Sequence, residues 1–395
     1  MRRITHALLS AGVLGGLLVA APAFADTAKP AAPTLGDVLN ASNLSITGYL
    51  DLGYTALNST GLFTTKGPSR VFDAPNASAS HDFNSFNINQ AAVTIAMQPK
   101  EGFGGLLNLT AGQDAQVIAS YGAGMSQTYP YSGHYFDITQ AYASYTTGPL
   151  TVIAGKFVTL AGAEVIARPS DTNYSRSILF GYAIPFSHTG IRATYAVNDS
   201  LSLIAGINNG WDQVSDSNTD KTVELGFTAT PVKMLSLAGS YYGGRELADG
   251  PFSTTTSSNG MRNLFDAVAT LNVTDSLSFI LNYDYANQDN ALLLPSGLRG
   301  KATWDGLAAY ANYMINDEWR VSLRGEYFND PDGYRTGIVQ RWKEATLTLG
   351  YMPTKHIEFD AEVRQDKSNK PAFLTTAGTG KDSQTSLGLE AIYKF

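Results

Sequence analysis

The chain ends in Leu387-Gly388-Leu389-Glu390-Ala391-Ile392-Tyr393-Lys394-Phe395. Apolar side chains fall on every second position: Leu387, Leu389, Ala391, Tyr393 and Phe395. A period of two describes a strand with one dry face and one wetter face. The same rhythm recurs far upstream. Leu201, Leu203, Ala205 and Ile207 alternate with Ser202, Gly206 and Asn208, and Val223, Leu225, Phe227 and Ala229 alternate with Glu224, Gly226 and Thr228. Ile357, Phe359, Ala361 and Val363 alternate with Glu358, Asp360, Glu362 and Arg364. In that last stretch a charge stands at every second residue and needs hydration, while the residues between them need a dry surface.

The connections alternate between short and long. Thr147-Gly148-Pro149, Asn198-Asp199-Ser200, Pro231-Val232-Lys233, Thr274-Asp275-Ser276, Asn316-Asp317-Glu318 and Pro353-Thr354-Lys355 are turn chemistry, as is the stretch from Pro99 to Gly102. Long segments rich in Gly, Ser, Thr, Asn and Asp run near 57–83, 113–135, 158–187, 209–221, 244–261, 287–301, 329–339 and 367–382. This layout predicts an all-β transmembrane antiparallel barrel of about sixteen strands, with short turns at one mouth and long loops at the other. The two strands over 136–146 and 150–157 have faces of similar character, so counts of fourteen or eighteen also fit. A sixteen-strand barrel is wide enough for a water-filled lumen.

Composition requires such a partition. Hydrophobic residues make up 44% of the chain and charged ones 15%, yet no stretch after the N-terminus reaches the ~20 apolar residues of a membrane helix. Only helices and closed barrels pair all their backbone groups inside hydrocarbon. Tyr and Trp placed near strand ends, among them Tyr54, Tyr145, Tyr195, Tyr241, Tyr285, Trp319, Tyr351 and Tyr393, suit interfacial girdles. At the N-terminus, Arg2 and Arg3, the apolar run Ala7 to Ala21 and Ala23-Phe24-Ala25 read as a secretory signal peptide over 1–25. Its removal takes two basic residues from a chain of formal charge −7, leaving about −9. Residues 26–43 read as a periplasmic leader, with one or two helical turns over Thr34 to Ala41. The absence of Cys suits export through an oxidising periplasm, and the acidic balance argues against nucleic acid.

One stretch carries a family resemblance. Gly155-Lys156-Phe157, Gly162-Ala163-Glu164, Asn173-Tyr174-Ser175-Arg176-Ser177 and Ile184-Pro185-Phe186-Ser187-His188-Thr189-Gly190 follow one another. Together with Asn209-Gly210-Trp211-Asp212 and Arg324-Gly325-Glu326-Tyr327-Phe328-Asn329-Asp330, they resemble the putative β-barrel porin-2 (OmpL-like) family. The resemblance spans roughly residues 44–395. It implies an outer-membrane pore with no defined substrate and no catalytic residues. The C-terminal pattern resembles the closing strand of bacterial outer-membrane barrels, in which the terminal Phe, here Phe395, is read by the barrel-assembly machinery.

The lumen is the candidate site. The alternation places Asp51, Glu224, Asp266, Asp284, Glu326, Glu344, Glu358, Asp360, Glu362, Asp366 and Glu390 inward. Lys156, Arg192, Arg320, Arg324, Arg364 and Lys394 stand against them. Carboxylates outnumber bases, so a mild cation preference is expected; cross-strand pairing that merely keeps the wall wet is the competing reading for any one residue. Segment 158–187 holds Leu160, Val165, Ile166, Ile178, Leu179, Phe180, Ile184 and Phe186, more apolar surface than a loop in water can use. It is expected to fold into the barrel and narrow it, with Glu164, Arg168, Asp171 and Arg176 at a constriction. An extra strand pair or an external lid is the alternative.

Other chemistry is weak. Asp216-Ser217-Asn218-Thr219-Asp220 opens like a calcium loop, but Lys221 stands where Gly is needed and Phe227 where Glu is needed. The His residues have no H-E-x-x-H spacing, and no cofactor or metal site is expected. The expected function is passive diffusion of small hydrophilic solutes or ions. The expected partners are outer-membrane lipid, the solutes themselves and, by analogy of strand number, further copies of the chain in a homo-oligomer. A non-conducting structural or adhesive barrel acting through its surface loops is the alternative.

Overall fold

In the computed structural model, the described residues are 42–58, 61–62, 85–120, 135–247, 259–293, 299–374 and 379–395. The expected signal peptide over 1–25 and almost all of the expected leader over 26–43 lie outside them. So do parts of the long segments near 57–83, 113–135, 244–261, 287–301 and 367–382.

The strands are β1 (Leu44–Leu57), β2 (Gly61–Leu62), β3 (Ser85–Met97), β4 (Gly102–Ala111), β5 (Phe136–Thr147), β6 (Leu150–Val158), β7 (Ser187–Asn198) and β8 (Leu201–Asn208). They continue as β9 (Thr222–Val232), β10 (Leu235–Leu247), β11 (Asn259–Asn272), β12 (Leu277–Leu293), β13 (Arg299–Met314) and β14 (Trp319–Asp330). The last are β15 (Gln340–Thr354), β16 (Ile357–Ser368), β17 (Phe373–Leu374), β18 (Gly380–Lys381) and β19 (Ser383–Lys394). All but β2, β17 and β18 form one closed antiparallel barrel; those three make a small separate sheet. The barrel therefore has the sixteen strands expected. Among the described residues, two short α-helices, α1 (Ala115–Ile118) and α2 (Ile178–Tyr182), and a 3-10 turn at Arg168–Ser170 lie in the connections.

Closure joins the first strand to the last. Asp51 sits opposite Ile392 and Tyr54 opposite Leu389. Phe395 continues this seam by exchanging both backbone hydrogen bonds with Gly48, each at 2.9 Å. The position is Gly because a Cβ there would meet the Phe395 ring at 2.4 Å.

The outer face is apolar as the alternation requires. Leu387, Leu389 and Tyr393, together with Leu225, Leu281, Leu323 and Val363, are all exposed there. Tilted ring contacts such as Phe103–Tyr145 and the stacked pair Trp319–Tyr351 lie at the short-turn end, where a girdle belongs.

Two features differ from expectation. Strands β12 and β13 reach Leu293 and Arg299, so most of 287–301 is strand rather than loop. Its Asn and Gln residues read as a loop, but a barrel strand that rises above the lipid can be polar on both faces. Lys156, expected inward, belongs to an outward row: its register partner Ala141 is paired in turn with exposed Leu107. Leu150, Val152 and Ala154 precede it on that face, while Thr151, Ile153 and Gly155 face in. Both faces of β6 are apolar, so parity could not be read from polarity there.

Candidate functional site

Residues 159–186 leave the wall at the end of β6 and return to it at β7, folding through the lumen on the way. A backbone inside a barrel must find partners for its N–H and C=O groups, and the wall supplies them. Asp266 accepts from the N–H of Gly162 at 3.1 Å and Asn282 from that of Ala163 at 3.0 Å. Glu362 accepts from the N–H groups of Tyr174 and Ser175 at 2.7 and 3.0 Å. Glu326 accepts from those of Ile178 and Leu179 at 2.6 and 3.3 Å, which places a carboxylate at the start of α2. The N-cap Ser177 side chain accepts from Phe180 N at 2.9 Å.

Ionic contacts reinforce this frame toward the short-turn end. Arg168 is fully buried. It donates from Nε and Nη2 to Glu390 at 3.0 and 2.5 Å, from Nη2 to Asp360 at 2.6 Å, and from Nη1 to the carbonyl of Asp171 at 2.6 Å. Arg324 donates to Glu164 at 2.8 Å, to Glu344 at 2.9 Å and to the carbonyl of Ser175 at 2.6 Å; Glu326 lies 3.1 Å from its Nε. Arg364 holds Asp366 at 2.7 Å and the carbonyl of Arg176 at 2.6 Å. Arg320 bridges Glu358 and Asp360 at 3.1 Å each and reaches the carbonyl of Thr172. Lys394 binds Glu358 at 2.8 Å. Arg176 pairs with Asp171 within the loop, and Arg192 with Glu224 on the wall.

Apolar packing dominates toward the other end. Ile178, Leu179, Phe180, Tyr182 and Ile184 are buried against Tyr242, Leu264, Trp304, Phe328 and Trp342 of the wall. Trp304 Nε1 donates to the carbonyl of Ala183 at 3.0 Å, so its polar atom is satisfied in the dry environment. Each buried aliphatic side chain contributes roughly 1.5–3 kcal/mol. Two glycines make room for the loop. A Cβ at Gly306 would meet Leu179 Cδ1 at 2.7 Å, and one at Gly388 would meet the Tyr174 ring at 2.3 Å. This part of the lumen is a packed core rather than open water.

The loop is docked asymmetrically. Its partners lie on β10 through β16 and on β19, β1 and β3; Thr55 bonds Tyr174 at 2.7 Å and Gln90 bonds the carbonyl of Ile166 at 2.9 Å. Inward residues of β14, such as Arg320, Ser322, Arg324 and Glu326, are all buried. On β5 to β8 inward residues near the short-turn end, Tyr142, Ile153, Thr194 and Ile204, are only half-buried, whereas Asp137, Phe157, His188, Arg192 and Asn208 toward the long-loop end are buried. On the loop itself Val165, Ala167 and Ser170 are exposed, while Glu164, Arg168, Asp171 and Arg176 are buried. The geometry thus gives those four charges to the contacts within the loop and between loop and wall, and leaves uncharged Val165, Ala167 and Ser170 as the exposed positions of this stretch. The reason is energetic: a loop crossing a barrel must pair its charges and its backbone before it can hold position.

All twelve expected site residues, Glu164, Arg168, Asp171, Arg176, Arg192, Arg320, Arg324, Glu326, Glu358, Asp360, Glu362 and Arg364, are buried inside the barrel. All except Arg192 belong to the frame that holds the loop. The sequence reading missed Arg262 and Arg335, which lie over Trp211 at 4.7 and 5.8 Å from its ring centroid. It also missed Asp330, whose Oδ2 accepts from the N–H groups of Arg335 and Thr336 at 3.0 and 2.7 Å. The Asp-Pro-Asp-Gly turn beginning at Asp330 was the available signal.

Comparisons with known proteins agree with this architecture. Pseudomonas putida OprB matches with a TM-score of 0.61 at 13% identity, over 91% of this chain and 96% of that one. OmpT of Vibrio cholerae gives 0.57 at 15% identity, over 89% and 97%. An anion-selective porin from Comamonas acidovorans gives 0.57 at 11% identity, over 89% and 99%. At these identities the likeness is one of fold. No curated relative matches the chain in sequence. The model of the family described as putative beta-barrel porin-2, OmpL-like, matches residues 43–395, nearly the whole chain, and the protein belongs to that family of outer-membrane barrels.

Proposed function

We propose that the protein is a passive pore for small hydrophilic solutes and ions, weakly cation-preferring, in the outer membrane. The observation that carries this reading is the one-sided docking of the loop. The wall from β10 round to β3 carries the loop's hydrogen bonds, while inward Tyr142, Ile153, Thr194 and Ile204 of β5 to β8 remain partly open. Solutes pass between this open wall and the uncharged loop face at Val165, Ala167 and Ser170. Arg192 and its partner Glu224 face the same side. Glu164, Arg168, Asp171 and Arg176 serve as anchors that set the width of the passage.

Charge selectivity comes from the wall as a whole. Buried carboxylates outnumber buried Lys and Arg nearly two to one among the described residues. An excess of fixed negative charge around a narrow aqueous path favours cations. The anion-selective porin of Comamonas acidovorans shares the fold and not this inference.

Export through a cleaved signal peptide over 1–25 and recognition of Phe395 by the assembly machinery belong to the same reading. One structure of Vibrio cholerae OmpT is a trimer form, which supports a homo-oligomer here. Single-channel recording in planar bilayers tests the proposal. Stable steps are expected, with a reversal potential of cation sign and a larger conductance after deletion of residues 164–178. A silent protein, an anion-sign potential, or a deletion with unchanged conductance would each remove a part of it.

A further inference from the structure

Several outward rows of the barrel carry a cation, but Lys343 and Lys367 stand exposed near the long-loop mouth, whereas Lys156 is buried. Read around the wall through paired residues, one row runs Ile46, Ile95, Leu107, Ala141 and then Lys156. A cation on a lipid-facing row is costly unless it is paired or reaches water. Lys156 is nevertheless 6% exposed, with Nζ donating to both carboxylate oxygens of Asp137 at 2.9 and 3.1 Å.

Local strand geometry explains how. The pair Ala141–Lys156 is the last rung between β5 and β6. Beyond it β5 runs on toward Phe136, while β6 turns into the lumen after Val158. The backbone amide of Val158 is left to a side chain, that of Gln140, at 3.4 Å. Gly155 sits at the fork with φ of 137°, and a Cβ there would fall 2.2 Å from the carbonyl of Ala141.

The parted strands, with Ala119, Ser120 and Val214 of the neighbouring connections behind them, line a cavity of about 350 Å³, within the range that takes a small ligand. Its mouth is apolar and continuous with the lipid face: Phe136 and Ile138 are 42% and 46% exposed, and Ala141 lies beside them. Its floor is polar, formed by Lys156, Asp137 and Thr189. The hydroxyl of Thr189 is buried with no hydrogen-bond partner. An ammonium has three N–H donors, and Asp137 occupies two of them. The floor therefore offers hydrogen bonds while its charges cancel. A ligand head of either charge would bring an uncompensated ion into a low-dielectric slot. A neutral oxygen would accept from Lys156 and exchange a hydrogen bond with Thr189.

We propose that this slot binds one lipid of the monoacylglycerol class, a single chain with an uncharged oxygen head, entering sideways from the bilayer. The chain lies along Phe136, Ile138 and Ala141, and the head rests on Lys156 and Thr189. This site opens sideways through the wall and does not depend on conduction.

Native mass spectrometry of the full protein in lauryldimethylamine oxide, with added 1-monolauroylglycerol, tests the assignment. One molecule retained per chain is expected, with laurate and dodecylammonium bound at least tenfold more weakly. Ala141→Trp fills the slot and should abolish retention while the heat-shifted gel mobility of a folded barrel persists. Thr189→Val keeps the shape, removes the hydroxyl and should weaken retention at least fivefold; it carries the test if Ala141→Trp fails to fold. Equal retention by the wild type and both variants would place the lipid in the detergent belt and overturn the proposal, as would laurate binding as tightly as the monoglyceride.

Discussion

Arg168→Met separates a loop held by ionic contacts from one held by packing alone. Arg168 has no exposed surface and makes four hydrogen bonds of 2.5–3.0 Å, three of them to Asp360 and Glu390. Met keeps much of the length and removes the charge. Asp360 retains Arg320 at 3.1 Å, whereas Glu390 loses the cation that lies against it. Removing one partner of a buried pair costs about 3–5 kcal/mol, because the other charge stays desolvated. At about 1.4 kcal/mol per factor of ten, that lowers the docking equilibrium constant of this half of the loop by about two to nearly four orders of magnitude. The half from Tyr174 to Phe186 keeps its apolar contacts and stays in place. Conductance should therefore rise, but by less than in the 164–178 deletion, and hydrogen exchange should accelerate over 164–171 only. Adding Glu390→Gln removes the negative charge that Arg168 faced and should recover much of the loss. Wild-type conductance together with wild-type exchange in Arg168→Met would refute the reasoning.

Other perturbations have distinct expected outcomes. Glu362→Leu strands the N–H groups of Tyr174 and Ser175 and the Thr348 hydroxyl, at about 1–3 kcal/mol each; a lower thermal midpoint in detergent checks it. Gly388→Val drives a side chain into the Tyr174 ring and should cost about 1–3 kcal/mol by overpacking while breaking the bond to Thr55. Trp342→Ala opens the apolar layer and should cost about 3–5 kcal/mol, read by the same melting assay. Lys367→Ala is the contrast: its pair with Asp382 is exposed, and the midpoint should not move. The Lys367 hydrogen bond holds the Asp382 carboxyl below its ordinary range, so that contact is present above the usual carboxylate pKa and fades as pH falls through the lowered one.

Most of the barrel was legible because one face of each strand must meet hydrocarbon. Leu387 to Phe395 and Ile357 to Arg364 show their parity in the residues themselves. Segment 158–187 was legible for a related reason, since its Ile, Leu and Phe residues had to be buried somewhere. What they pack against was not legible. Tyr242, Trp304 and Trp342 look in sequence like any aromatics near strand ends, and only the closed sheet shows that they point inward. The anchoring charges were legible as a set but not in their roles. Glu326 and Glu362 serve backbone N–H groups of a loop far away in sequence, a contact that no local pattern encodes. Lys156 was misplaced because β6 has no polar face against which to judge parity.

The most direct measurement fixes the loop where it lies and asks whether current still flows. The chain has no Cys, so a single engineered pair is unambiguous. Asn173 of the loop donates to Thr348 of the wall at 2.7 Å, so Asn173→Cys with Thr348→Cys, bridged through disulfides by a short bis-methanethiosulfonate, makes a reducible latch. With the bridge formed, single channels should conduct at the wild-type level and show no change on reduction. Channels that are closed when bridged and open when reduced would mean that the docked loop is a plug, and the passage beside it would not exist.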